Sequence, residues 1–164
     1  MTIVAAENRA AHAFGHAWLA LTLALAAHVA DEAATDFLSV YNPLVAAARQ
    51  RFGWFPMPAF TFAVWLTGLI VLVAILLSLT PLASRAVPSL RLAAYPFAAI
   101  MLLNGIGHLA GSIYFRRWMP GATTAPLLLV ASIWLWRAVR NEFRPRAIDS
   151  PPSPLARLRR DTTP

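Results

Sequence analysis

Apolar and polar positions along this chain fall into long blocks instead of the alternation of a strand or the striped spacing of a soluble helix. Apolar blocks cover about residues 11–31, 58–79, 92–115 and 120–137, and the second carries no charged side chain. Coiled as helices rising 1.5 Å per residue, each comes close to the roughly 30 Å hydrocarbon layer of a bilayer. The pattern predicts an all-α fold, a polytopic membrane four-helix bundle, with a single domain over residues 1–141. The remaining stretch, 142–164, is rich in Pro, Ser and Arg, lacks the apolar surface to form a core, and is expected to be a disordered basic tail.

Between the first and second blocks, Asn42-Pro43 reads as a helix start, with Asn as N-cap and Pro at the first helical position. A short helix over Leu44–Arg51 follows from it. Its aromatic neighbours Phe37, Tyr41, Phe52, Trp54 and Phe55 suit the membrane interface, and Pro56 and Pro58 separate it from the second span. A plain interfacial helix is the simpler expectation, and a segment folded back over the end of the first span is the other. In the third block, Gly107 and Gly111 form a small-xxx-small pair suited to close helix approach.

Composition supports the membrane assignment: 59% of the 164 residues are hydrophobic and 13% charged. Every basic residue is arginine, and their placement orients the chain. With four spans, Arg9, Arg85, Arg91 and the seven arginines from Arg137 onward share one side, ten in all, against Arg49, Arg51, Arg116 and Arg117 on the other. That asymmetry puts both termini in the cytoplasm of a multi-pass protein of the inner (plasma) membrane. The bilayer is the expected partner, the tail arginines meeting anionic headgroups and not nucleic acid. Arg9 and Ala24-Leu25-Ala26 fit a signal peptide loosely, but His12, His16 and Trp18 within the stretch favour an uncleaved anchor. With no cysteine in the chain, disulfides and thiolate metal sites are excluded.

The chemistry gathers where two blocks end. His28, Asp31 and Glu32 close the first block within about one helical turn and share a face. Asn104, His108 and Ser112 recur at i, i+4, i+8 on the third. The first and third spans run the same way, so His28 and His108 differ in depth by about 6 Å. Ionisable groups in a span are costly and point to function. Two imidazoles and two carboxylates (His28, Asp31, Glu32, His108) suit a single Zn, Fe or Mn ion, with Asn104 as an orienting donor. The same set suits acid/base catalysis on a lipid or apolar small molecule. A transporter or lipid-binding role and a polar staple between helices are the alternatives. His12 and His16 resemble one histidine box of the membrane desaturases, but four histidines are too few for that class. Gly-x-Ser-x-Gly, phosphate-loop and His-Glu-x-x-His motifs are missing.

The ordered set His28-x-x-Asp31-Glu32, Asn104-x-x-x-His108 and Arg117-Trp118-Met119-Pro120-Gly121-x-x-Thr124 resembles the bacterial HXXEE-domain integral membrane proteins, a family of uncharacterised function. The likeness covers about residues 16–137. It implies a site at His28, Asp31, Glu32, Asn104 and His108, with Pro120 and Gly121 as turn residues. Asp31 stands where the family's signature has Glu, so this carboxylate keeps its charge but sits one methylene closer to the backbone.

Overall fold

The computed structural model describes residues 3–143. Six helices follow in order: α1 Ile3–Ala34, α2 Leu38–Phe52, α3 Phe62–Ser78, α4 Thr80–Ser84, α5 Pro88–Tyr114 and α6 Ala125–Phe143. No strand occurs among the described residues. Three helical stretches are long and apolar enough to cross a membrane: Ala11–Ala34, Phe62–Ser84 (across the α3–α4 junction) and Pro88–Tyr114. The fourth expected span, 120–137, begins later than the sequence suggests. Residues 120–124 form a turn, leaving twelve residues of α6 before Arg137, about 18 Å of helix. Most of the expected basic tail, residues 144–164, lies outside the described residues.

α1 is the central element. It packs on α6, α4 and α3 and more lightly on α5, while α5 and α6 share the most extensive interface. Cross-contacts fix the directions. Trp18 of α1 donates through Nε1 to the Leu76 carbonyl near the end of α3 (2.9 Å) and packs its ring on Phe97 early in α5. The other end of α1 meets the end of α5 and the start of α6. α1 and α5 therefore run one way, α3 and α6 the other.

In lipid, apolar side chains gain little from leaving the solvent, so helices adhere where small residues allow close packing. Ala17, Ala94, Ala98, Ala122 and Ala125 are fully buried. The α5–α6 contact is made at Gly105, where an added Cβ would lie 2.8 Å from Leu129 Cδ2 and 3.1 Å from the Ala125 carbonyl. The expected pair does not do this work: nothing lies within 4 Å of a Cβ at Gly107, and Gly111 would meet only Met119 Cγ at 3.7 Å. Sequence spacing identified a glycine-bearing helix but assigned the contact to the wrong face. Buried Thr22 and Ser132 satisfy their hydroxyls on the carbonyls four residues earlier.

α3 touches α1 and α4 but makes no substantial contact with α5. The four long helices are thus not evenly packed, and a cleft separates α3 from α5. The α2 helix begins at Leu38 and runs through Pro43, earlier than expected. Asn42 is not its N-cap. The amide instead clasps the Phe60 backbone twice, Nδ2 donating to its carbonyl (2.9 Å) and Oδ1 accepting from its N–H (3.1 Å). Tyr41 Oη donates to the Pro58 carbonyl (2.9 Å) and Arg49 to that of Met57 (2.7 Å). These bonds strap α2 to the extended segment 54–61, whose carbonyls have no ladder to satisfy them. Partial burial holds the Tyr41 hydroxyl above the ordinary phenol pKa, with Arg49 opposing, so it remains a neutral donor.

Candidate functional site

The site is built where three chain reversals meet. Asp36 adopts a left-handed conformation (φ 56°), which Asp tolerates better than most residues. The Phe37 N–H then bonds back to the Glu32 carbonyl (3.0 Å), closing α1 with the αL capping geometry of helix C-termini. That closure places the Phe37 ring 5.7 Å from His108 and 5.9 Å from Trp65, as a roof. Arg116 (φ 51°) ends α5 in the same way. The third reversal is Pro120-Gly121, where Gly121 has φ 80°. A Cβ there would stand 2.9 Å from His108 Cε1 and Nδ1 and from His28 Cε1. Only glycine fits, for both backbone and space, and it forms a shelf against which both imidazoles rest.

His28 and Glu32 lie one turn apart on α1 and are 1% and 4% exposed. Glu32 Oε1 is 3.0 Å from His108 Nε2 and 3.6 Å from His28 Nε2. The imidazoles meet edge to face with centroids 4.7 Å apart. Ligand atoms from His28, Glu32 and His108 all lie within 4.8 Å of one another.

Proton positions follow from the outer partners, assigned here from donor and acceptor roles. His108 Nδ1 bonds the Pro120 carbonyl, which can only accept, so Nδ1 carries hydrogen. Thr124 Oγ1 donates to Asp31 Oδ2 (3.0 Å) and therefore accepts from His28 Nδ1 (2.8 Å), which also carries hydrogen. In the neutral imidazoles both Nε2 atoms then present lone pairs to the Glu32 carboxylate. Three Lewis bases facing one another in a buried site require an electrophile between them, a proton or a metal ion. His28 Nε2 is buried without a hydrogen-bond partner.

Asp31 is not part of this group. Its carboxylate turns to the start of α6, accepting from the Thr124 N–H (3.1 Å) and hydroxyl, where negative charge suits a helix N-terminus. Asn104 stands beside the centre, its Oδ1 buried and unpaired. His12 and His16 are exposed on α1, with His16 about 18 Å along the axis from His28. Ser112 binds the His108 carbonyl and the Met119 N–H (2.8 and 3.1 Å), a brace for the turn and not a nucleophile. Thr124, which links Asp31 to His28, was not among the candidate residues. Its place at the end of the Trp118–Thr124 motif was the available signal.

Two cavities reach the centre. One, about 350 Å³, is walled by Leu25, Val29, Val64, Leu69, Leu72 and Met101, with His28, Glu32 and Asn104 at its polar end. The other, about 290 Å³, lies beneath α2 and reaches His108 past Gly107 and Gly111. Phe37, Tyr41 and Asn104 border both.

Long apolar helices around a buried His–carboxylate–His centre define a helical protein of membrane character with a polar site at one end. The chain belongs to the HXXEE family, proteins of unknown function with an HXXEE motif, whose sequence profile matches residues 8–135. No curated protein and no solved structure matches it.

Proposed function

We propose that this protein is a membrane-embedded metalloenzyme that holds one divalent ion on His28, Glu32 and His108 and acts on a lipid or other apolar molecule. The observation that carries this reading is the orientation of both imidazoles. Each gives its Nδ1 hydrogen to a fixed oxygen acceptor and turns Nε2 to Glu32 Oε1. Two histidines, each tied from behind through Nδ1, and one carboxylate are a common ligand set for catalytic zinc and for non-haem iron, and leave coordination positions free. A bound ion would supply Lewis acidity toward an oxygen atom of the substrate. Asn104 orients that group, Asp31 and Thr124 hold His28, and Phe37 excludes water. The arginine asymmetry and the shared direction of α1 and α5 support four crossings, cytoplasmic termini and a centre near the outer leaflet.

The test is elemental analysis of protein purified in detergent and incubated with Zn, Mn or Fe(II). About one ion per chain is expected, lost in His28→Ala and in His108→Gln while helicity and monodispersity persist. Equal ion content in the wild type and both variants overturns the proposal. A proton shared at the 3.0 Å His108–Glu32 contact is then the reading that remains, and the cluster becomes an acid/base or transport site.

A further inference from the structure

The larger cavity continues sideways as the cleft between α3 and α5, and its two ends differ sharply in chemistry. We propose that this cleft holds the tail of a single-chain amphiphile, a fatty acid or long-chain alcohol, with its oxygen head at the His28–Glu32–His108 centre. The head's position rests on the metal reading above; the tail's position rests on the cleft alone.

Four observations point to this occupant. The walls facing the cleft are aliphatic from α1, α3 and α5, and α3 stands clear of α5, so the opening is lateral, toward acyl chains. On the side toward α2 the larger cavity is bounded by Phe37, Tyr41 and Phe60, held by the Asn42–Phe60 and Tyr41–Pro58 bonds. At the polar end, His28 Nε2 is almost wholly buried and unpaired, and Asn104 Oδ1 is unpaired beside it. An alcohol or a protonated carboxyl donates its O–H to the second while its oxygen approaches the centre, which favours these heads over an ester or hydrocarbon. Finally, the size is that of one tail. Val64 to Leu72 spans about 12 Å of helix axis, and 350 Å³ is near the lower limit for small-molecule pockets, too little for a two-chain lipid.

Gly68 lines the cleft, and nothing lies within 4 Å of where a Cβ on it would stand. Gly68→Phe therefore fills the tail site without disturbing packing or the centre. The probe is hexadecanoic acid carrying a mid-chain diazirine, photolysed with metal-loaded protein in detergent. Label is expected on the cleft residues Val64, Leu69, Leu72 and Met101, displaced by hexadecanol and reduced at least roughly tenfold in Gly68→Phe, whose ion content is unchanged. A diazirine alkane without a head group should label those residues as weakly as the acid labels Gly68→Phe. Equal labelling of wild type and Gly68→Phe, or label confined to the outward residues Ile70, Val71 and Ile75, overturns the proposal. The two readings fail separately. Gly68-dependent labelling without bound ion retains the tail site and removes the metal, whereas bound ion without Gly68-dependent labelling does the reverse.

Discussion

Gly121→Ala tests the centre's geometry without removing any polar group. The substitution has two costs. A residue other than glycine at φ 80° is disfavoured by about 1–2 kcal/mol. The new methyl also meets three imidazole atoms at 2.9 Å, and crowding of a packed site adds about 1–3 kcal/mol. Gly53 separates the two terms: its φ is 70°, and nothing lies within 4 Å of a Cβ there. Gly53→Ala should therefore show the backbone cost alone. At roughly 2–4 °C per kcal/mol for a chain of this length, Gly121→Ala should melt roughly 2–12 °C below Gly53→Ala in the same detergent. Pushing the rings apart should also weaken metal binding by about 10–100-fold, measured by competition with a chromogenic chelator, with Gly53→Ala unaffected. If the two variants melt together and bind metal equally, the imidazoles do not rest on Gly121 and the centre is not arranged as described.

Two further outcomes follow from the same geometry. Thr124→Val keeps shape but removes the hydroxyl between Asp31 and His28, so the protein should lose about 1–3 kcal/mol in chemical denaturation and about 10–100-fold in metal affinity, while Thr124→Ser retains both. Gly105→Ala, which would drive a Cβ to 2.8 Å from Leu129, should cost about 1–3 kcal/mol by overpacking; Gly107→Ala, with open space, should be neutral or stabilising by up to about 1 kcal/mol, and the opposite order would refute the assigned α5–α6 contact.

What could be read in advance followed from local rules. The apolar blocks marked the membrane-like helices because hydropathy and length are properties of contiguous residues. The 3.6-residue period put His28, Asp31 and Glu32 on one face, and the shared direction of α1 and α5 brought His108 level with them; His28, Glu32 and His108 do meet, whereas Asp31 turns to Thr124. What could not be read depended on contacts between distant segments. Asn42-Pro43 carries the local signal of a helix start, yet the unpaired backbone at Phe60, eighteen residues on, captures the amide and the helix begins earlier. Gly105 and Gly107 differ only in which side of α5 meets α6, and both lie in one apolar helix. Thr124 has no chemical signature of its own. Its role exists only because the Pro120-Gly121 turn aims it at Asp31, ninety-three residues away.

The adjacent acids of the signature acquire separate tasks from that turn. Glu32 is one helical turn from His28, so its carboxylate enters the centre beside that residue's ring. Asp31 is displaced by about 100° around the axis and faces the first turn of α6 instead. There it accepts two hydrogen bonds from Thr124, and the short Asp side chain suffices because the helix start comes to it. The result is a chain of fixed dipoles, Asp31 to Thr124 to His28, ending at an unpaired Nε2. That chain fixes the ring so that Nε2 faces the centre beside the Glu32 carboxylate. A carboxylate, a threonine and a glycine thus share the task of orienting one imidazole toward Glu32.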